Sequence, residues 1–241
     1  MKTNISSFLI MVSLLVSTLA IGSEGNMEKQ FTLNKKEQSI IQIAAFTAGG
    51  EIDRLKPALN DGLDVGLTVN EIKEILVQMY AYAGFPRSLN GLGTFKAVME
   101  ERKNKGIKDE HGKEASPLPM DKTSLEFGTE NQTKLTGRIV AGPLFDFAPA
   151  IDEYLKAHLF GDIFERYILT WRERELATIG ALANIRGVNS QLQAHYGISM
   201  NNGVTPEQLH DFVTILEEKI GPEVAGNAKD VLEQVLNSGK K

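Results

Sequence analysis

Cysteine is absent from this chain of 241 residues. That excludes disulfides, thiol nucleophiles and thiolate metal sites together. Histidine is scarce, and His111, His158, His195 and His210 are dispersed without a helical His pair, which is not a metal-ligand pattern. No stretch alternates apolar and polar residues as a half-buried strand would. Basic charge is in deficit as well. The chain carries 26 Lys and Arg against 31 Asp and Glu, for a formal charge of −5. Such a balance argues against nucleic acid and anionic membrane surfaces as partners.

Long apolar runs are missing beyond the N-terminus. There, Lys2 precedes an apolar stretch from Phe8 to Leu19. This is shorter than the roughly 20 residues a membrane-spanning helix needs. Small residues at Thr18–Ala20 and Ala20–Gly22 offer points for cleavage. Residues 1–22 therefore read as a secretory signal peptide, with an uncleaved N-terminal anchor as the alternative. The expected location is periplasmic or secreted, with no stable membrane insertion after cleavage. The rest of the chain is long enough for one substantial core or for two small cores fused.

What is present is one pattern written twice. Shifted by 137 positions, residues 39–101 lie over residues 176–238 without a gap. Ala44 falls on Ala181, Gly50 on Gly187, Leu55 on Leu192, Gly66 on Gly203, Thr68 on Thr205, Gly84 on Gly221, Asn90 on Asn227 and Val98 on Val235. These identities sit at the punctuation of helices. Thr68 with Glu71, and Thr205 with Gln208, are both capping boxes, so each copy opens a helix by the same device. The repeating unit is helical and spans roughly 65 residues.

Apolar spacing predicts the individual helices. The first covers 37–48 and ends at Gly49 and Gly50. A second covers 52–63, with Leu55, Leu59 and Leu63 on one face and Pro57 early, where it is tolerated. The Thr68 box opens a helix that turns Ile72, Ile75, Leu76, Met79 and Tyr80 inward and stops at Gly84. A fourth runs from Pro86 to about Lys103, with Leu89, Leu92, Phe95, Val98 and Met99 on one face. Residues 104–142 change character to Lys, Glu, Gly, Ser, Pro and Asn with isolated apolar residues. They are expected to form an extended linker over the surface of both units, with its length a sign that part of it is ordered at an interface. Asn131 begins a glycosylation sequon by pattern only. Helix is expected again from Phe145 to Phe164, with Ile151, Tyr154, Leu155 and Leu159 inward. The second unit follows near 171–185, 189–201, Thr205 to Glu218 and Pro222 to Leu236. The fold class is all-α. The expected organisation is signal peptide 1–22, first repeat 31–103, linker 104–142 and second repeat 143–238.

The second unit carries the chemistry-bearing residues. A charged start, Arg172 to Glu175, leads into an Ala/Leu-rich helix to Ala183. Then come Gly187, Gln191 followed by Leu192 and His195, and Asn201 through Gly203 to Thr205. This run resembles the carboxymuconolactone decarboxylase family, which shares its helical fold with the alkylhydroperoxidase D-like proteins. The first unit matches through Gly66 to Glu74 and Tyr80 to Asn90. The resemblance implies tandem alkylhydroperoxidase D-like repeats across most of the chain apart from the linker. Single-repeat relatives form rings of six, so a homo-oligomer is expected here, with a trimer favoured and sites between repeats. In the family's redox branch a Cys-x-x-Cys precedes the His. Those positions are Val188 and Gln191 in this chain, so thiol peroxidase activity is not expected.

The resemblance and the residues together point to a cofactor-independent carboxy-lyase, or a related lactone or enolate enzyme, acting on a small carboxylated molecule. No cofactor and no metal are required when the electron pair released with CO2 spreads into a conjugated carbonyl. The chemistry needs a proton donor and hydrogen bonds or positive charge to place carboxylates. His195 is the candidate donor and Glu175 the candidate that orients it, as the catalytic pair. Gln191, one turn before His195, and Arg87, at the start of a helix in the first unit, are candidates for substrate binding. Each also has a plain structural reading: a helical histidine bonded to a carbonyl, a surface Glu pairing with Arg172 or Arg174, an interface amide, and a solvated arginine. His195 falls opposite Ala58 in the first copy, so the site is not expected twice. The alternative reading of the whole chain is an exported oligomeric binding or scaffold protein that keeps the fold without catalysis.

Overall fold

A computed structural model describes residues 31–117 and 120–238. The N-terminal segment read as a signal peptide lies outside them. Among the described residues the fold is all-helical, without a strand. No helix of these residues is long and apolar enough to cross a membrane.

The two repeats align element for element. In the first, α1 (Lys35–Gly49), α2 (Ile52–Asp64), α3 (Val69–Ala83) and α4 (Phe85–Asn104) follow in order. The segment between repeats holds α5 (Ser124–Thr136), α6 (Pro143–Phe147), α7 (Pro149–Tyr154), a π-helical stretch (Leu155–Ile163) and one 3₁₀ turn (Phe164–Arg166). The second repeat is α8 (Trp171–Ala183), α9 (Asn189–Asn201), α10 (Pro206–Lys219) and α11 (Pro222–Ser238). The starts of α2, α3 and α4 and of α9, α10 and α11 are related by the same offset of 137 that relates the sequences. Both expected capping boxes are made: Thr68 accepts from the Glu71 N–H, and Thr205 from the Gln208 N–H, with the reciprocal bond present in each. The turn before each box needs a left-handed residue, which Gly66 (φ 95°) and Gly203 (φ 87°) supply.

The repeats share one apolar core. Helices α1 and α8 are each buried along most of their length and pack against one another at its centre. Their approach is close. A Cβ at Gly180 would stand 2.8 Å from the Ile41 carbonyl oxygen and 3.3 Å from its Cα. The join also carries a buried polar network. Arg174 is fully buried, its Nη2 donating to Glu74 Oε1 at 2.8 Å and its Nη1 to Gln78 Oε1 at 3.0 Å. Gln78 returns its amide to the Arg174 carbonyl and to Thr178 Oγ1, both at 3.0 Å. Arg166 adds a second cation, with Nε 3.1 Å from both Glu74 oxygens. Burial lowers the Arg174 pKa, while Glu74 opposes that shift. The pair satisfies most of the charge that folding has taken out of water.

Three expectations are corrected. The 104–142 segment is not extended throughout, because Thr123 and Glu126 form a third capping box that opens α5. Isolated apolar residues suffice there, since Gly128 and Gly161 let α5 and the π-helical stretch meet backbone to backbone. A Cβ at Gly128 would overlap the Lys156 carbonyl, and one at Gly161 would stand 2.3 Å from the Ser124 carbonyl oxygen. Asn131 is buried in this contact, donating to the Phe160 carbonyl and to Glu165. Its sequon is therefore closed to modification in the folded chain. The stretch before the second repeat is not one α-helix either. It breaks at Ala148 before Pro149 and then widens into π geometry, which abandons the 3.6-residue period. Leu159 is buried as expected, but Ile151 and Tyr154 face outward. In α4 the buried stripe is Ser88, Gly91, Phe95, Val98 and Arg102, and Leu89 is exposed. The stripe turns this way because Gly91 brings α4 down on Leu76 of α3 and Thr47 of α1.

The first part of the linker is tied to α3. Val69 and Asn70, in the first turn of α3, donate their N–H groups to the carbonyls of Glu110 and His111. The linker thereby satisfies donors that a helix start leaves free. Arg102 grips Asp109 through Nε and Nη2 at 2.8–3.1 Å.

Gly180→Ala should destabilise the chain. Alanine gains up to about 1 kcal/mol in helix propensity, but forcing α1 and α8 apart costs about 1–3 kcal/mol. A lower urea midpoint with an unchanged m-value is the expected result.

Candidate active site

Helices α8 and α9 run side by side, and their facing sides hold the candidate pair. Glu175 is completely buried on α8, and His195 sits across from it on α9 with 13% of its side chain exposed. His195 Nδ1 and Glu175 Oε2 are 2.8 Å apart. With Nδ1 carrying a proton, the ring donates to the carboxylate and leaves Nε2 free to exchange another. Glu175 is thus no surface residue, and neither neighbouring arginine takes it. Arg172 pairs with Glu37, and Arg174 with Glu74.

The first repeat contributes a third side chain. Tyr82 of α3 packs its ring against His195 edge to face, with centroids 5.9 Å apart. Its hydroxyl is buried and makes no well-formed hydrogen bond, although Thr178 stands near enough to act on it. Burial, then the nearby Glu175 charge, pushes the Tyr82 hydroxyl well above the ordinary tyrosine range, with Thr178 and Arg174 pulling weakly the other way. From the sequence, Tyr80 and Tyr82 fall on opposite sides of their helix, which places at least one of them in the core or an interface and gives neither a role in the site. A residue separated from His195 by more than a hundred positions carries no local signal of meeting it.

A small apolar cluster lies against this region. Leu135 of α5 joins Leu159, Phe160, Ile163 and Phe164, and Tyr80, Tyr82, Leu155, Trp171 and Ile198 pack against them. The segment between the repeats therefore adjoins the Tyr82 side of the site. It is held to the end of α9 by Asn201 and Asn202, which donate to the carbonyls of Leu135 and Thr136.

The other two candidates have partners of their own. Gln191 is exposed, and its side chain accepts from Ser190 Oγ. Arg87 donates through Nη1 to the Ala48 carbonyl at the end of α1. Neither makes a hydrogen bond or ion pair with His195 or Glu175. In the first repeat the positions equivalent to Glu175 and His195 are Gln38, which donates to the Leu33 carbonyl, and buried Ala58. No such pair forms there. Among the described residues no group of three or more His, Asp or Glu is placed to hold a metal ion.

These features define a duplicated all-helical protein whose described residues hold one histidine–carboxylate pair with a fully buried carboxylate, in a chain without a thiol. Two regions, residues 21–97 and 149–234, match the model of the Carboxymuconolactone decarboxylase family, and together they cover more than half of the chain. The chain belongs to this family, as a cysteine-free member with two repeats. Residues 21–30 of the first match lie outside the described residues. Comparison with curated proteins gave no match.

Two outcomes follow from this geometry. Long-range ¹H–¹⁵N spectra should show His195 with its proton on Nδ1, and Glu175→Gln should disturb that tautomer signature while the chain stays folded. At high pH the buried tyrosines set a limit. Tyr82 and Tyr196, whose hydroxyl donates to the Ala228 carbonyl, are both raised by burial. The unfolded chain loses their protons from about pH 10 upward, while the folded chain retains them, so stability falls as pH rises past that point. Phenolate absorbance from these two should appear only together with unfolding, and Tyr82→Phe should flatten the alkaline loss.

Proposed function

We propose that this protein is a cofactor-independent carboxy-lyase that acts on a small carboxylated lactone or a similar conjugated acid. The observation that carries this reading is the 2.8 Å contact between His195 Nδ1 and the buried Glu175 carboxylate. Family membership supports it independently.

In the proposed reaction the bond between the ring carbon and its carboxylate breaks and CO2 leaves. The electron pair moves through the conjugated system onto the lactone carbonyl oxygen. His195 Nε2 then delivers a proton to carbon, the carbonyl re-forms, and the imidazole recovers its proton from solvent. The net change is substrate and one proton to product and CO2, with no electron left over and no external oxidant. Glu175 is a positioning residue in this scheme: it fixes the tautomer and offsets the positive charge of the ring before transfer. Arg87 and Gln191 remain proposed contacts for a substrate carboxylate, Gln191 from the turn before His195.

The N-terminal segment is proposed to direct export, which places the activity in the periplasm or outside the cell. Assembly as a homo-oligomer is supported by the apolar side chains that α6 and α7 turn outward, Phe147 being 88% exposed; a trimer is favoured on the family resemblance alone.

Ultraviolet-monitored turnover of 4-carboxymuconolactone by the purified chain tests the reading. Consumption by the wild type is expected, and His195→Ala should lower kcat by about 10²–10⁴-fold with little change in Tm. Equal rates in the two proteins would remove His195 from the chemistry. No turnover by the wild type would retire the lactone and favour a binding role for the same fold.

A further inference from the structure

Four buried polar atoms without a hydrogen-bond partner belong to the faces around His195: Tyr82 Oη, Trp171 Nε1, Glu175 Oε1 and Ser199 Oγ. Their placement follows from helix geometry. Trp171 is one turn before Glu175 on α8, and Ser199 is one turn after His195 on α9, so each lies on the face of its neighbour in the pair. Arg172 donates to the Gly203 carbonyl, which sets the start of α8 beside the end of α9. Trp171 and Ile198 accordingly pack against the same small cluster, and Tyr82 joins them from α3. Buried polar groups are ordinarily paired, and leaving one unmade costs about 1–3 kcal/mol.

We propose that Tyr82, a residue of the first repeat, is the neutral hydrogen-bond donor that holds the substrate's carbonyl oxygen beside His195, where the electron pair arrives when CO2 leaves. The proposal rests on the carboxy-lyase reading and adds to it the group that receives the developing charge. Three features suit Tyr82 to that role. Its ring lies against the imidazole, so an oxygen held by its hydroxyl is presented next to the proton donor. Its hydroxyl makes no well-formed hydrogen bond within the chain, Thr178 being near enough only to act on it weakly. Burial and the Glu175 charge keep it protonated through the working pH range, so it donates rather than repels. His195 keeps 13% of its side chain exposed, the one opening of the pair to solvent, since Glu175 is fully buried.

Tyr82→Phe removes one oxygen and leaves the ring. If the hydroxyl acts only on the folded chain, the change deletes an unpartnered buried group and is neutral or stabilising. If it serves the ligand, Tm holds or rises while binding and turnover fall. Trp171 is the chain's single tryptophan, so its fluorescence reports on this region. The probe is furan-2,5-dicarboxylate, a planar oxygen ring bearing two carboxylates, titrated into wild type, Tyr82→Phe and His195→Ala. Wild-type binding with an affinity loss of about tenfold in Tyr82→Phe is expected. With 4-carboxymuconolactone, kcat should fall by about 10²–10³-fold, with the pH profile unchanged in shape and the His195 tautomer signature intact. Equal affinity and equal kcat in wild type and Tyr82→Phe would overturn the proposal while leaving the carboxy-lyase reading in place. If the wild type neither binds the probe nor turns over the lactone, the carboxy-lyase reading falls and the role of Tyr82 falls with it. Loss of folding in Tyr82→Phe would overturn the proposal by showing that the hydroxyl has a partner in the core.

Discussion

A guanidinium with no access to water holds the two repeats in register. Arg174 of α8 reaches Glu74 and Gln78 of α3, and Gln78 reaches back to α8 through the Arg174 carbonyl and Thr178. Charge buried this deeply tolerates little displacement, because any loss of geometry leaves an ion unpaired in a medium that solvates it poorly. The arrangement also determines the site. Glu175 is the next residue after Arg174, so fixing one turns the other toward α9. Tyr82 lies one turn beyond Gln78, so anchoring Gln78 delivers Tyr82 to His195. An element of stability and an element of chemistry therefore share one set of hydrogen bonds.

Duplication supplied the frame, and divergence made the copies unequal. Helices α2 to α4 and α9 to α11 start at positions related by one offset, with matched capping boxes and matched left-handed glycines. Yet the first copy has Gln38 and Ala58 where the second has Glu175 and His195, and it lends side chains across the join instead. Glu74, Gln78 and Tyr82 all come from α3, and their equivalents by the offset are Asp211, Ile215 and Lys219. One copy has become the wall of the other copy's site.

Much of this was legible in the chain, and the division is physical. Capping boxes at Thr68 and Thr205 are local devices, complete within four residues, so their helices start where the sequence places them. His195 and Glu175 stood out through their resemblance to the family motif, and their contact spans two adjoining helices. Other features depend on what is packed against them. Leu89 satisfies the helical period but faces outward, because Gly91 and not Leu89 decides which side of α4 approaches α3. Tyr154 and Ile151 fail for a related reason: they lie on α7, and the π stretch that follows shifts the phase, so the face that buries Leu159 is not the face that carries them. The α5 helix was hidden because its packing relies on the absence of side chains at Gly128 and Gly161, and hydrophobic periodicity does not register an absence. Tyr82 depends on a meeting between repeats that no local pattern encodes.

The backbone contact at Gly128 has a consequence for how this protein can change over time. A core of leucines and isoleucines drifts by single methylenes, each step shifting neighbours slightly and leaving the fold viable. Between α5 and the π-helical stretch there is no such gradation. The smallest possible side chain at Gly128 overlaps the carbonyl of Lys156. Any substitution must separate the two segments outright or be lost. The layer beside the site is thus either kept whole or discarded whole in descent, while the repeats it joins remain free to diverge by degrees.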